Sequence, residues 1–528
     1  MSLWLALVLP AWPLQLAARA LPQPAPLVIV DGPAQRLHVV HANEAAQAAG
    51  IGAGLKLAAA QALATGLIAV PRTPAVEHDA LRELAGWALQ FSPYVHLQEA
   101  QAAAAPNSSA PPPPAELLAD SGLLFETGAS ETYFGGRAAL HRRLTQSLRA
   151  LGYRAHAGYA VTPAAAWIVA RARARGLATR DAFSADTLHA ALAPLPLALL
   201  GWEAAAIDAL HALGLRTVAD VLALPRDGLG QRFGAAALLD LQRLLGERPD
   251  PRAPFVAPEH FSARLELPAD LADSAHLQRP AARLLHALEG FLRGRGAGAT
   301  ELRFSAHHSP RRAQPVPPTA FTLQLAAPER SALRLERLLA ERLARVRLPQ
   351  PAVLLALEVT HLQPLAGDTP SWLPPAPRAA DRHGPAPWLA LAETLHARLG
   401  SARVFQVQPV DDHRPEHAQR CVPLAIDAQA ARGPAVPPPD APRPLLLLTE
   451  PLPLPAAAET PQYHGALSLL AGPERIEAGW WDRSGDRSRG VRAVLRDYFV
   501  ARNPRGQTLW VYRELTAPRG WYLHGFFA

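Results

Sequence analysis

Short apolar runs alternate with helical periodicity through the first 160 residues. Ser2-Leu-Trp-Leu-Ala-Leu-Val-Leu-Pro-Ala11 has no charge, no basic residue precedes it, and Pro10 and Pro13 cut it short. It predicts a buried strand and not a secretion signal. Leu27-Val-Ile-Val30 and Leu37-His-Val-Val40 flank the turn Asp31-Gly-Pro33 and predict paired strands, while 45–63 predicts a helix. The Pro-rich stretch 106–114 cannot continue a central strand and predicts a surface loop between two strands.

Between Pro163 and Leu245 the pattern turns helical. Within it, 209–225 has Gly214 placed to end one helix and Thr217 to cap the next, a helix-hairpin-helix signature that can present backbone N–H groups to a DNA phosphate. A plain helical corner fits the same residues. The segment 248–255, rich in Pro and Arg, predicts a tether. Beyond it, strand patterns at Phe261, Glu301, Phe321 and Val353 enclose amphipathic helices near 277–292 and 330–346. From Pro364 periodicity is lost until about Trp388, and a second Pro-rich stretch, 434–455, predicts extended chain around Leu445-Leu-Leu-Leu448. Arg496-Asp-Tyr-Phe-Val-Ala501, Thr508-Leu-Trp-Val-Tyr-Arg513 and Trp521-Tyr-Leu-His-Gly-Phe526 predict an antiparallel meander, its tryptophans more simply read as sheet core than as base-stacking rings.

At 528 residues and 49% hydrophobic content the chain can hold three or four domains, so it is not a small binding module. The net charge of +7 suits a polyanionic partner, although 54 prolines and the Ala/Arg bias also fit a GC-rich coding background. Lys56 is the only lysine among 52 basic residues, leaving arginine, with its planar fork, at the other 51. Cys421 stands alone, which excludes an internal disulfide and a multi-cysteine zinc site.

Several motifs resemble the Y-family DNA polymerases. Leu117-Leu-Ala-Asp-Ser-Gly-Leu-Leu-Phe-Glu-Thr-Gly is similar to the palm-strand motif Ser-Ile-Asp-Glu-Ala-Phe-Leu-Asp before a Thr-Gly turn, and the opening run resembles the first palm strand. Ala42-Asn-Glu-Ala-Ala-Gln-Ala-Ala-Gly-Ile-Gly resembles the fingers segment Ser-Tyr-Glu-Ala-Arg-x-x-Gly-Ile, and 158–171 resembles Gly-Ile-Ser-x-Asn-Lys-x-Leu-Ala-Lys-Ile-Ala. The resemblance implies a palm with fingers at 1–162, a helical thumb with helix-hairpin-helix at 163–247, a little finger at 256–362 and a Pro-rich C-terminal extension with a small β module at 363–528. In class terms this is an α+β protein.

Registered on these motifs, the metal-binding carboxylates fall on Leu5, Ser121 and Gly122, and the nucleotide-binding positions on Pro10, Glu44, Gln47 and Pro163. None supplies a metal or phosphate ligand, and two-metal phosphoryl transfer needs carboxylates. Loss of ligands on a retained scaffold is the pattern of the ImuB-like branch, whose members are understood as non-catalytic. The resemblance implies DNA, a sliding clamp, an error-prone replicative-type polymerase and a RecA-like accessory protein as partners in damage-induced mutagenesis. It implies no cofactor, no resident metal, no membrane and a cytoplasmic, nucleoid-associated setting.

Arg293, Arg295, Arg303, Arg311 and Arg312 bunch near the second strand of the little finger and, with Gly214, are the expected DNA contacts. A solvated basic face is the bland alternative. Gln363, Leu365, Trp372 and Leu373 form the candidate clamp-binding peptide, although they depart from the Gln-Leu-x-Leu-Phe type, and Gln324-Leu325 lies inside a strand pattern. Asp411-Asp-His-Arg-Pro-Glu416 and Glu77-His-Asp79 hold metal-type side chains without convergent spacing, and Gly294-Arg-Gly-Ala-Gly298 reads as a turn. Two rival readings stay open. One is an active polymerase using displaced carboxylates at Asp31, Asp120 and Glu126; the other is a repair factor that binds DNA through its helix-hairpin-helix.

Overall fold

The charge-free opening run forms strand β1 (Trp4–Leu9), with five of its six residues buried. Only a strand covered on both faces tolerates that composition. Helix α1 (Trp12–Ala18) follows, with Pro13 in its first turn. Strands β2 (Leu27–Asp31) and β3 (His38–Ala42) pair antiparallel as expected, and β4 (Ile68–Pro71) joins β2 in parallel. The single helix expected over 45–63 is instead two, α2 (Glu44–Ala48) and α3 (Leu57–Leu63). Gly50 and Gly54 between them take φ of 83° and 84°, a left-handed backbone that stops the first helix.

Helix α4 (Pro74–Ala88), strands β5 (Val95–Gln98) and β6 (Ser121–Glu126), helix α5 (Arg137–Ala150), strand β7 (His156–Ala160) and helix α6 (Pro163–Ala174) complete this part. Its sheet runs β5-β6-β1-β7. Leu5, Leu7 and Leu9 point into one core with Leu81 and Leu84 of α4 and Leu140, Leu144 and Leu148 of α5. Ala6 and Val8 point the other way, into a core with Ala165, Ala166 and Ile168 of α6. The two-residue period of one strand thus feeds two cores. The structure is a computed structural model and describes residues 3–21, 25–99, 120–309, 316–365, 387–424, 442–457, 459–479 and 493–527. The expected loop at 106–114 lies outside them, as do Arg311, Arg312, Trp372 and Leu373.

Helices α7 (Ala185–Leu192), α8 (Ala204–Ala212), α9 (Val218–Leu222) and α10 (Arg226–Leu245) follow. The segment expected to be a tether is pinned down: Phe255 is buried and donates its N–H to the Val95 carbonyl, and the Arg252 carbonyl accepts from the Tyr94 hydroxyl. It is bound to the β5 edge by both backbone and side chain.

The next part alternates as its sequence periodicity requires: β8 (Phe261–Leu271), α11 (Gln278–Arg295), β9 (Ala297–His308), β10 (Thr319–Glu329), α12 (Ala332–Leu343) and β11 (Ala352–Val359), in sheet order β10-β9-β11-β8. Strand β12 (Leu362–Pro364) pairs with β9. Helix α11 crosses α4 so closely that a Cβ on Gly290 would enter the Trp87 ring. Glu83 of α4 also accepts the Arg264 N–H at 3.1 Å.

Two units divide the chain, Met1–Arg398 and Leu399–Ala528. Helix α13 (Pro387–Leu399) is fastened to the first unit, its buried Glu393 accepting the Ala326 N–H and pairing with Arg334. In the second unit, β13 (Phe405–Pro409) and β14 (Gln419–Pro423) form a hairpin, and β16 (Ala456–Ala457) and β17 (Thr460–Pro461) a second short one, following β15 (Leu446–Leu454). The expected meander is present as β19 (Val494–Arg502), β20 (Thr508–Glu514) and β21 (Gly520–Phe526). Strand β18 (Ser468–Ala478) and β15 extend it to the order β15-β21-β20-β19-β18. Trp510 and Trp521 are buried in this sheet, as the core reading expects.

Candidate functional site

Strand register decides which palm residues meet. Leu9 lies opposite Ser121 and Val8 opposite Gly122, whereas Leu5 lies opposite Phe125. Four residues separate Leu5 from Leu9, about 13 Å at the usual strand rise. Leu5 therefore does not converge with Ser121 and Gly122, and the β1 positions beside them are Val8 and Leu9. An all-apolar strand carries no polar marker from which that register can be read.

The Gly122 position is filled by other atoms. A Cβ there would lie inside contact distance of the Leu7 carbonyl oxygen and 2.8 Å from the indole of Trp167, which α6 lays across the sheet. Such separations admit no side chain, and a glutamate least of all. Asp120, one residue earlier, accepts from Arg171 Nε at 2.8 Å and Arg175 Nη1 at 3.1 Å, while Arg171 also donates to the Leu199 carbonyl. A cavity of about 430 Å³ beside this group is lined by Asp120, Trp167, Arg171, Trp202, Asp240 and Arg243, among others. Burial pushes the Asp240 carboxyl up, which weakens it as a cation ligand.

The displaced carboxylates do not gather. Glu126 is at the far end of β6 and accepts the Gly128 N–H, and Asp31 is on a different sheet, 3.8 Å from Arg72. Among the described residues no group of three or more His, Cys, Asp or Glu is placed to hold a metal ion. Asp412 is paired with Arg414 and Glu416 with Arg496, so two of the three carboxylates in 411–416 are held by arginines.

At the nucleotide positions, Pro10 precedes α1 and Glu44 is an exposed carboxylate in the first turn of α2. Gln47 donates to the Ala42 carbonyl, and Pro163 is buried in the first turn of α6, behind the Thr162 cap. Arg72, at the end of β4 on the same sheet as β2 and β3, is held in a two-point pair with Glu77. None of these offers a free donor to a triphosphate.

The expected DNA contacts separate. Arg293 pairs with Glu289 on its own helix. Arg295 donates to the Ala257 and Pro258 carbonyls and lies over the Phe291 ring, a packing role. Arg303 is on the open face of the little-finger sheet with Arg264, but Glu266, Glu301 and Glu358 share that face, so its charge is mixed. The hairpin itself is present, with Gly214 at φ 84° just past the end of α8 and Thr217 capping α9, but its turn N–H groups are already engaged. From Gly214 to Val218 every backbone N–H has a protein acceptor: the His211 and Leu210 carbonyls, Asp220 Oδ2 for both Arg216 and Thr217, and the Leu195 carbonyl. Those N–H groups also hold the Asp220 carboxyl below its usual range. A phosphate finds no free donor there.

Gln363 lies in β12, where 362–364 pair with 297–299, and the Leu365 N–H donates to Gly296. A groove-binding peptide would first have to leave that strand. Sequence reasoning missed Trp167, Arg171 and Arg175 as the groups that occupy the site. One signal was present, since a glycine inside a strand marks close approach of other atoms.

Residues 13–171 match the impB/mucB/samB family. Two curated relatives, both described as Protein ImuB and from two strains of Caulobacter vibrioides, are 31% identical over 507 residues, covering 90% of this chain and 100% of each relative. Among solved structures, a post-insertion binary complex of Dbh DNA polymerase is 16% identical and covers 69% of this chain and 100% of that one, with a TM-score of 0.36. DinB from Sulfolobus solfataricus is 14% identical over 69% of this chain and 99% of that one, with a TM-score of 0.34.

Proposed function

This chain belongs to the ImuB family, and from that premise we propose that it is a polymerase-shaped protein without polymerase activity, acting as a DNA-binding adaptor in damage-induced translesion synthesis. One observation carries the reading. Where a Y-family enzyme needs a carboxylate, Gly122 is covered by Trp167 and the Leu7 carbonyl, and the neighbouring Asp120 is neutralised by two arginines. Phosphoryl transfer by two metals requires ligands that converge on the cations, and these groups point elsewhere.

The adaptor half rests on the family and on the second unit. Its partners are a sliding clamp, an error-prone replicative-type polymerase and a RecA-like accessory protein. Strand β15 ends the sheet with Leu446 and Leu452 exposed beside Leu445, and β18 ends it on the other side with Leu469 and Leu470 exposed. Unpaired strand edges with apolar side chains suit recognition by strand addition or by a docked peptide.

Truncation after Arg398, which leaves the first unit whole, should abolish damage-induced mutagenesis and capture of the partner polymerase while DNA binding persists. Normal mutagenesis from the truncated chain would move the adaptor function into the first unit.

A further inference from the structure

Between Glu131 and Asp181 the chain has nine arginines and not one Asp or Glu. Four of the nine find carboxylates: Arg137 pairs with Glu131, Arg171 and Arg175 with Asp120, and Arg173 with Asp181. Arg142, Arg143 and Arg149 of α5 do not. They are exposed, and no described carboxylate pairs with them.

Helical spacing gathers these three. Leu140, Leu144 and Leu148 take the buried side of α5, so Arg142, Gln146 and Arg149 share the outer stripe with Arg143 on its flank. Two turns separate Arg142 from Arg149, about 10 Å. At the head of the helix, Tyr133 is 84% exposed, the largest exposure of any Phe, Tyr or Trp among the described residues. Its ring meets Phe134 edge to face at 5.0 Å, and the Arg143 guanidinium lies 5.9 Å from the Phe134 centroid. An open ring and a row of unpaired guanidinium groups therefore form one strip.

We propose that Tyr133 with the outer face of α5 binds single-stranded nucleic acid. The chemistry matches what a single strand offers: phosphates for arginine forks and an unpaired base face for the ring. A protein partner would ordinarily meet a cluster of apolar or aromatic anchors at the centre of the interface, and the exposed residues of α5 supply none. A duplex offers phosphates but keeps its base faces stacked, leaving Tyr133 without a role. The strip is distinct from the little-finger sheet and adds a second surface to the DNA-binding reading on which it rests.

The test measures fluorescence anisotropy of labelled oligo(dT) and of a duplex of equal length with the full chain, across a salt series. Four variants are compared with wild type: Arg142→Glu/Arg143→Glu/Arg149→Glu, Tyr133→Ala, Tyr133→Phe, and Arg264→Glu/Arg303→Glu on the little finger. The triple reversal should weaken oligo(dT) binding at least about tenfold and flatten the salt slope by about 2, at about 0.7 for each phosphate no longer neutralised. Tyr133→Ala should cost about fivefold or more, and Tyr133→Phe should restore wild-type affinity, because stacking needs only the ring.

Unchanged oligo(dT) affinity and slope in the triple reversal, with the melting temperature preserved, overturns the strip. So does a loss confined to duplex. If only the little-finger variant loses binding, the strip is wrong while the DNA-binding reading stands; if wild type binds neither DNA, that reading fails as well.

Discussion

The arginines of α6 and those of α5 come from one acid-free stretch of sequence and meet opposite fates. On α6 and at its C-cap, Arg171 and Arg175 are gathered by Asp120, and Arg173 by Asp181, so these arginines are held within the fold, and the Gly122 position beside them is filled by Trp167. On α5, Arg142, Arg143 and Arg149 reach solvent with no such partner among the described residues. Charge along a sequence therefore does not translate into charge on a surface. What decides it is whether a carboxylate from elsewhere folds onto the run.

If the α6 side is filled, it should be intolerant of change. The largest effect is expected for Gly122→Ala, where one methyl must displace Trp167 and separate β6 from the Leu7 carbonyl. A loss of about 3 kcal/mol or more in denaturant unfolding is expected. A neutral result would mean the sheet is open there and the comparison is wrong. Next comes Asp120→Ala, which removes the carboxylate that Arg171 and Arg175 share. A loss of about 1–3 kcal/mol follows, with Arg171→Ala non-additive in a double-mutant cycle.

A third handle lies between the palm and the little finger. Burial pushes Glu83 up to about 7, against the opposing pull of Arg19 and Arg264, with Asp79 adding to the rise. The folded state therefore holds this proton more tightly than the unfolded chain, whose value is near 4.5. Stability from this group is present at low pH and lost as pH rises from about 4.5 to about 7. Glu83→Gln should remove that slope, so its melting temperature should overtake wild type by on the order of 2 °C or more above pH 7. Parallel curves would show that Glu83 is solvated. The smallest effect is expected on the open side: Arg142→Glu or Arg149→Glu should move stability by no more than about 0.5 kcal/mol.

Much of the fold was legible because period and punctuation agreed. The alternation from Phe261 to Val359 switches between two-residue and helical spacing in an order that permits few sheets, and the terminal meander is marked by its turn at Asn503 and Gly506. The register of β1 was not legible, since six apolar residues in a row match either neighbour at several offsets. The hairpin at Gly214 could have been read further: Asp220, three residues after Thr217, is a capping-box signature that turns the N–H groups inward. Trp167 over Gly122 joins residues far apart in sequence, and only the folded chain brings them together. Strand β15 was concealed by its prolines, although Leu445 to Leu448 marked an apolar segment.

The central claim is that the palm has no working metal site. Primer extension by the purified full chain on a primed template, with magnesium and separately with manganese, tests it most directly. No nucleotide should be added at any metal concentration. Template-dependent extension that co-purifies with the chain and is lost in Asp120→Ala would contradict the account and show that the carboxylate held by Arg171 and Arg175 serves catalysis.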